Sequence, residues 1–138
     1  MQSSLYLVDT SVWLEVLPPT RGGSELRQHV DALLAADVVA TTGMVRLELL
    51  GGARTEIEYR RLGELLSALH ALPLDEERCD EAARLGFQLR HRGITVPFTD
   101  LLIAAVTIQA GAIMVHRDRH FDLMADHLPL RVESHLGG

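Results

Sequence analysis

Four carboxylates stand where an unpaired charge would be costly, because each ends or interrupts a mostly apolar stretch. They are Asp9, Glu48, Asp100 and Asp118. A charged group in apolar surroundings is expensive unless it is paired or bound to a metal ion. Mg²⁺ and Mn²⁺ prefer hard oxygen ligands, and a pair of such ions can activate a water and stabilise the leaving oxygen of a phosphodiester. Together, the four acids favour a metal-dependent phosphodiesterase.

Each acid taken alone also has a simpler interpretation. Asp9 could cap a helix, and Asp100 in a first helical turn would favour the helix dipole by roughly 0.3–1 kcal/mol. Glu48 could occupy an exposed position on a short amphipathic helix, and Asp118 could be a turn residue after a strand. The coincidence of four such placements in a chain of 138 residues favours a shared metal site instead.

The elements that must position these acids alternate between short strands and helices. Strands are predicted near residues 5–8, 38–40, 73–74, 112–116 and 130–132. The alternation predicts a three-layer α/β/α sandwich around a mostly parallel central sheet. In such sheets, ligands bind just beyond the carboxyl ends of the strands, which is where Asp9 and Asp118 stand.

The boundaries of the helices follow from capping residues, glycine and proline. Helices are predicted over residues 11–17, 24–36, 44–50, 55–72, 75–92 and 100–110. Ser11 and Thr99 are the expected N-caps of the first and the last of these. Residues 20–23 are expected to form a loop, and residues 41–43 a turn.

Composition narrows the class of protein. The apolar and charged fractions are ordinary for one soluble globular domain, which we expect to span residues 1–138. Neither a signal peptide nor a membrane span is apparent in the sequence, so we expect a cytoplasmic protein. All 13 basic residues are arginine, which excludes a P-loop and a Schiff-base mechanism, since both need a lysine. No zinc site is predicted, because there is one cysteine and the neighbouring His116 and His120 would supply only one or two ligands.

Four segments resemble, in order and at suitable intervals, the motifs of PIN domains. They are VDTSVW at residues 8–13, VRLELL at 45–50, PFTDLLIAA at 97–105 and VHRDRHFD at 115–122. Each segment alone is weakly specific, whereas the set covers essentially the whole chain. The resemblance is closest to the VapC-type toxins of bacterial VapBC toxin–antitoxin modules.

This resemblance implies roles for individual side chains. The family's acidic catalytic quartet falls on Asp9, Glu48, Asp100 and Asp118. Asp9, Asp100 and Asp118 are the expected metal ligands, while Glu48 and Asp122 are further candidates. Ser11 matches a hydroxyl that supports the site by hydrogen bonding. Relatives often have an acid at the position that His120 occupies here.

The resemblance also implies an Mg²⁺- or Mn²⁺-dependent endoribonuclease that cleaves structured RNA, commonly tRNA or ribosomal RNA, and so inhibits translation. It implies a VapB-type antitoxin as partner, and a homodimer. Arg46, Arg117 and Arg119 are candidates for contacts with the RNA backbone. Two other interpretations stay open, namely a catalytically inactive PIN-fold binding protein and a metal-dependent nuclease that acts on DNA.

Overall fold

A sheet of five parallel strands forms the centre of the computed structural model, which describes residues 4–19 and 24–137. The strands are β1 (Tyr6–Val8), β2 (Val39–Thr42), β3 (His70–Leu72), β4 (Ile113–His116) and β5 (Arg131–Ser134). They lie in the order β3-β2-β1-β4-β5, and every neighbouring pair is parallel. The predicted α/β class with a parallel central sheet is confirmed. The predicted loop at residues 20–23 lies outside the described residues.

Seven helices in the described part of the chain provide the crossovers that a parallel sheet needs. They are α1 (Thr10–Val16), α2 (Glu25–Ala35), α3 (Gly43–Gly51), α4 (Glu56–Ser67), α5 (Glu76–Arg90), α6 (Phe98–Ala110) and α7 (Arg119–Ala125). α1 contacts α2 and α3, α3 contacts α4, and α6 contacts both α5 and α7. Because crossovers are right-handed, helices that connect strands in one direction across the sheet lie on one face. Helices that connect strands in the opposite direction lie on the other face. None of these helices is both long and apolar enough to cross a membrane.

β1 and β4 lie side by side where the chain reverses its direction across the sheet. Leu7 pairs with Met114, and Val8 pairs with Val115. From β1 the chain moves outward to β2 and β3, and it then returns to β4 on the other side of β1. Open α/β sheets bind ligands in the crevice at such a reversal, beyond the carboxyl ends of the strands. A ligand-binding site is therefore expected at the carboxyl ends of β1 and β4.

The core packs around these two central strands and α6. The side chains of Leu7, Val8, Met114 and Val115 are fully buried. α6 is apolar almost all the way round, as predicted for an interior helix, and it ends where Gly111 adopts a left-handed backbone conformation with φ of 63°. Side chains at the ends of these elements are mounted on a rigid support.

The predictions around the edge strand β3 were wrong. α4 ends at Ser67 rather than at residue 72, and the strand occupies His70–Leu72 instead of residues 73–74. Thr41 and Thr42 extend β2 rather than forming a turn. The reason is tertiary, because every residue of β3 pairs with β2, and this pairing outweighs the helical leucine pattern of the preceding residues.

Two predicted helix caps also differ from the structure. Asp9 rather than Ser11 is the N-cap of α1, because its side chain reaches the Ser11 amide as a capping oxygen must. α6 begins at Phe98 after Pro97 and has no side-chain cap, so Thr99 is a helical residue and not the cap. As a result, Asp100 lies in the first turn of α6.

Candidate active site

Asp9 is held at the end of β1 by Ser11. Its Oδ2 atom accepts hydrogen bonds from the Ser11 amide at 3.0 Å and from the Ser11 hydroxyl at 2.6 Å. The Ser11 hydroxyl in turn accepts a hydrogen bond from the Arg117 amide at 3.0 Å. Ser11 therefore ties the end of β1 to the residue that follows β4, and it fixes the orientation of a carboxylate that is only 4% exposed.

Glu48 reaches the same strand end from α3. The hydroxyl of Thr10, which is buried, donates a hydrogen bond to Oε1 of Glu48 at 3.1 Å. Glu48 itself is exposed. Glu48 therefore approaches Asp9 from the solvent side, through the residue that directly follows Asp9.

Asp100 and Asp118 come together around His120. Nδ1 of His120 lies 3.1 Å from Oδ2 of Asp100 and 3.0 Å from Oδ1 of Asp118. Asp118 is the N-cap of α7, and its Oδ1 atom also accepts the His120 amide at 2.9 Å. One ring nitrogen thus lies between two carboxylates that come from different helices.

A buried histidine holds the backbone of Asp118. The Asp118 amide donates to Nδ1 of His116 at 3.1 Å, so in a neutral ring the proton lies on Nε2, which donates to Oδ1 of Asp122 at 3.0 Å. His116 is fully buried, and burial lowers its pKa against the opposing effect of Asp122. Oδ2 of Asp122 accepts the Ser134 hydroxyl at 2.8 Å. Both oxygens of Asp122 are therefore engaged.

Asp9 lies within electrostatic reach of the other three acids of the quartet. Burial raises the pKa of Asp9 against the hydrogen bonds from Ser11, and the charge of Asp118 raises it further. Burial also raises the pKa of Glu48, to which Asp9 adds. The pKa of Asp100 rises to about 6 because of burial and the charges of Asp118 and Asp9. Without a bound metal ion, the crevice therefore disfavours the charged forms of Asp9, Glu48 and Asp100.

This arrangement fits a divalent cation. The ligand atoms of Asp100, Asp118 and His120 lie within 4.8 Å of one another, so that one ion could be shared among them. A bound cation would offset the charges of Asp118 and Asp9, which add to the effect of burial in raising the pKa of Asp100. Carboxylate oxygens are the donors that Mg²⁺ and Mn²⁺ prefer, and His120 adds a nitrogen donor.

The three arginines predicted to contact RNA have different surroundings. Arg117 is paired with Glu15 through a contact of 2.8 Å. Arg119 is exposed at the start of α7. Arg46 is partly buried on α3 two residues before Glu48, a spacing at which two helical side chains do not face each other. Arg119 is the one of the three that is most available to a ligand.

Sequence reasoning missed three supporting side chains, namely Thr10, His116 and Ser134. The signal for Thr10 was present, since it is a hydroxyl residue directly after a strand-end acid. Ser134 lies beside His116 because the two residues pair in the register of β4 and β5. That register is set by the fold and has no local signal in the sequence.

Comparisons with known proteins identify the family of this chain. The PIN domain family matches residues 6–126. A relative from Mycobacterium bovis, named as a VapC ribonuclease, is 35% identical over 135 residues, which cover 94% of this chain and 98% of the relative. The residues matched by the PIN domain family include all four acids of the crevice.

Solved structures share the fold. A VapBC2 complex from Rickettsia felis, bound to a DNA fragment from its promoter, has a TM-score of 0.75 at 19% identity over 94% of this chain and 98% of that chain. VapC20 from Mycobacterium tuberculosis, described as a sarcin–ricin loop cleaving toxin, has a TM-score of 0.61 at 19% identity over 91% of this chain and 98% of that chain. With the family match and the Mycobacterium relative, these findings show that the chain belongs to the PIN-domain family and, within it, to the VapC ribonucleases.

Proposed function

We propose that the protein is an Mg²⁺- or Mn²⁺-dependent endoribonuclease, the toxin of a type II toxin–antitoxin pair, and that the whole chain acts as one PIN-like domain in the cytoplasm. The observation that carries this proposal is the meeting of Asp9, Glu48, Asp100 and Asp118 at one crevice, where the charge of Asp9 acts on Glu48 and Asp100 and the charge of Asp118 acts on Asp9 and Asp100. Membership of the VapC ribonucleases supports RNA as the substrate.

Asp100 and Asp118 are the side chains that would hold the metal ion, with His120 as a nitrogen ligand. Asp9, whose charge acts on Asp100, is the third proposed ligand. When bound, the ion stabilises charge on the phosphate oxygens and lowers the pKa of a bound water. The engagement of both oxygens of Asp122 assigns it a positioning role, in which it holds His116 and so fixes the Asp118 backbone.

Glu48 is the proposed general base, which accepts a proton from the attacking water. Its raised pKa makes it a better proton acceptor than an ordinary carboxylate, and it lies on the open side of the crevice where water and RNA arrive. Thr10 orients the carboxylate by its hydrogen bond to Oε1. In this scheme Glu48 takes the proton of the water whose oxygen bonds to phosphorus, while the bond from phosphorus to the departing ribose oxygen breaks and that oxygen takes a proton from solvent. Ser11 keeps Asp9 aligned.

The substrate is proposed to be structured RNA, either tRNA or ribosomal RNA. A fold neighbour is described as a toxin that cleaves the sarcin–ricin loop. Arg119, exposed beside the acidic crevice, is the first candidate to bind a backbone phosphate. Arg117 is a second candidate once its pairing with Glu15 is exchanged for a phosphate.

A groove next to Glu48 is the proposed seat of a VapB-type antitoxin. It has a volume of about 830 Å³ and is lined by Trp13 and by apolar side chains that include Leu14 and Ile57, exposed at 64% and 60%. Exposed apolar side chains along a groove suit the apolar face of an amphipathic helix. Because Glu48 itself lines the groove, an occupant of the groove would also obstruct the crevice.

We also propose that the protein forms a homodimer through α5 and α6. Phe87 and Phe98 are 55% and 74% exposed, and they border an apolar groove of about 500 Å³ between these helices. Phe98→Glu should therefore give a monomer by light scattering, whereas an unchanged mass would place the contact elsewhere.

The proposed function is tested by inducible expression in a bacterial host without the antitoxin. The wild type, Asp9→Asn and the matched surface variant Asp80→Asn are compared for growth and for new 5′ ends in total RNA. Growth arrest with discrete RNA ends in the wild type and Asp80→Asn, but not in Asp9→Asn, supports the proposal. Intact RNA with all three soluble proteins would contradict it and favour a binding-only protein, and nicked DNA would favour the DNA nuclease.

A further inference from the structure

A second cluster of metal-ligating side chains lies at the edge strand β5, and it shares no residue with the acidic crevice. Nε2 of His29 lies 2.5 Å from Oε1 of Glu133, and Nε2 of His135 lies 3.0 Å from the same oxygen. The three ligand atoms lie within 4.8 Å of one another. Two ring nitrogens thus converge on one carboxylate oxygen, although His29 and His135 are far apart in the sequence.

The alternation of side chains along β5 places the cluster on one face of the strand. Ser134 points towards α7, where its hydroxyl bonds Asp122. Successive side chains of a strand point to opposite faces, so Glu133 and His135 face the other way, where α2 brings His29. The His135 amide donates to the carbonyl of His116 at 2.8 Å, which fixes the position of His135 beyond the end of β5.

The ring nitrogen of His29 lacks a satisfactory partner. The Nε2 atom is buried and makes no well-directed hydrogen bond, although Glu133 is close. A buried polar nitrogen in this state is costly unless another group satisfies it. A metal ion placed between the two histidines and the carboxylate would do so.

The cluster needs only a small movement to bind an ion. Ligand atoms around a tetrahedral zinc ion with bonds of about 2.0 Å lie about 3.3 Å apart, whereas the two contacts with Glu133 are 2.5 and 3.0 Å. The side chains of His29, Glu133 and His135 are 38%, 32% and 27% exposed, so they can separate by several tenths of an ångström without disturbing the core.

We propose that His29, Glu133 and His135 form a zinc site that joins α2 to the edge strand β5. Two imidazoles and one carboxylate are a donor set that zinc uses, with the fourth position left to water. Imidazole ligands favour zinc, whereas Mg²⁺ prefers oxygen ligands, so this site discriminates against the ion proposed for the crevice. The site is independent of the ribonuclease activity.

Zinc binding is tested on the full chain, without a histidine tag, in a background that carries Asp100→Asn and Asp118→Asn. These two changes remove the acidic crevice as a competing site. Titration against a chromophoric chelator should show one equivalent of Zn²⁺, and His29→Gln or His135→Gln should weaken it by about 100-fold or more, since even outer-shell changes cost 10–100-fold. His70→Gln, a change in an exposed histidine paired with Asp37, is the matched control and should bind zinc normally.

Two further readouts keep the result interpretable. Thermal unfolding with and without zinc should show stabilisation by zinc in the background protein and in His70→Gln, but not in His29→Gln. Glu133→Gln preserves a hydrogen-bond acceptor for both histidines while removing the anionic ligand, so it should stay folded and lose tight binding. Zinc binding that is unchanged by His29→Gln, His135→Gln and Glu133→Gln, or absent from the background protein, would overturn the proposal.

Discussion

The acidic crevice and the histidine cluster lie near the carboxyl ends of strands in the same sheet, but they differ in donors and support. The crevice lies at the reversal point between β1 and β4, and its carboxylates are oriented by hydrogen bonds such as that from Ser11 to Asp9. The histidine cluster lies at the edge strand, and its side chains are about one-third exposed. One sheet therefore presents an oxygen-rich site at its centre and a site with two imidazole nitrogens at its edge.

The largest effect is expected from the crevice itself. Asp100→Asn removes a proposed ligand and should lower RNA cleavage by about 100-fold or more, at least as much as the loss of an outer-shell partner can cost. Asp80→Asn, on the exposed face of α5, is the matched control. Rates are measured on purified protein with a labelled RNA. Equal rates for Asp100→Asn and the wild type would remove Asp100 from the site.

Ser11→Ala tests the support of the crevice. It deletes a hydrogen bond to Asp9 and leaves the Arg117 amide without its acceptor. We expect a loss of about 10–100-fold in metal affinity or activity, because outer-shell partners orient their ligands. Mn²⁺ affinity is measured by calorimetry. Ser67→Ala, at an exposed position of α4, should bind as the wild type does, and the same affinity for Ser11→Ala would show that Asp9 needs no orientation.

Asp122→Ala distinguishes a positioning role from metal ligation. It leaves the buried Nε2 proton of His116 without an acceptor, so unfolding free energy should fall by about 1–3 kcal/mol even in the absence of metal. Asp126→Ala, at an exposed position at the end of α7, is the control and should change stability little. Denaturant unfolding in EDTA gives the values. A stability loss that appears only with metal present would instead make Asp122 a ligand.

The raised pKa values predict how stability depends on pH. In the folded protein the pKa of Asp100 is raised from 3.8 to about 6, so the folded state binds more protons than the unfolded state between these values. The stability of the metal-free protein should therefore fall as pH rises from 3.8 to about 6, with Asp9 and Glu48 acting in the same direction. Asp100→Asn should flatten this dependence in EDTA. A wild-type stability that rises over the same interval would contradict the electrostatic picture.

The smallest effect on catalysis is expected from the histidine cluster. His135→Gln should leave Mg²⁺-supported RNA cleavage within about twofold of the wild type. The histidine cluster shares no residue with the crevice, so its loss should affect stability rather than cleavage. Cleavage is measured at saturating Mg²⁺ with zinc removed by a selective chelator. A loss of cleavage comparable to that of Ser11→Ala would mean that the two clusters act as one site.

The sequence predicted the parts of this molecule that have local signals. Strand-end acids, a buried apolar helix and the terminating glycine at Gly111 can each be recognised from a few neighbouring residues. β3 was misplaced because its position depends on pairing with β2, 30 residues away in the chain, as the register of Ala40 with His70 shows. Local helical periodicity carries no information about that pairing.

The same limit explains what was missed at the sites. The quartet could be proposed because each acid breaks an apolar stretch, whereas His116 bonds Asp122 only because α7 folds back over the end of β4. His29 and His135 were not considered together in the sequence, since they meet only where α2 brings His29 to Glu133. Contacts between distant segments depend on the topology of the fold, which the spacing of residues in the sequence does not predict.

Metal-dependent RNA cleavage by the purified, antitoxin-free protein is the decisive measurement for the proposed role of the crevice. Protein dialysed against EDTA is supplied with Mg²⁺ and an RNA that contains a site mapped in cells, and 5′ ends are counted over time. We expect discrete cleavage only after Mg²⁺ is added, in the wild type and His135→Gln but not in Asp100→Asn. Cleavage that persists in EDTA, or that is equal in Asp100→Asn, would contradict it.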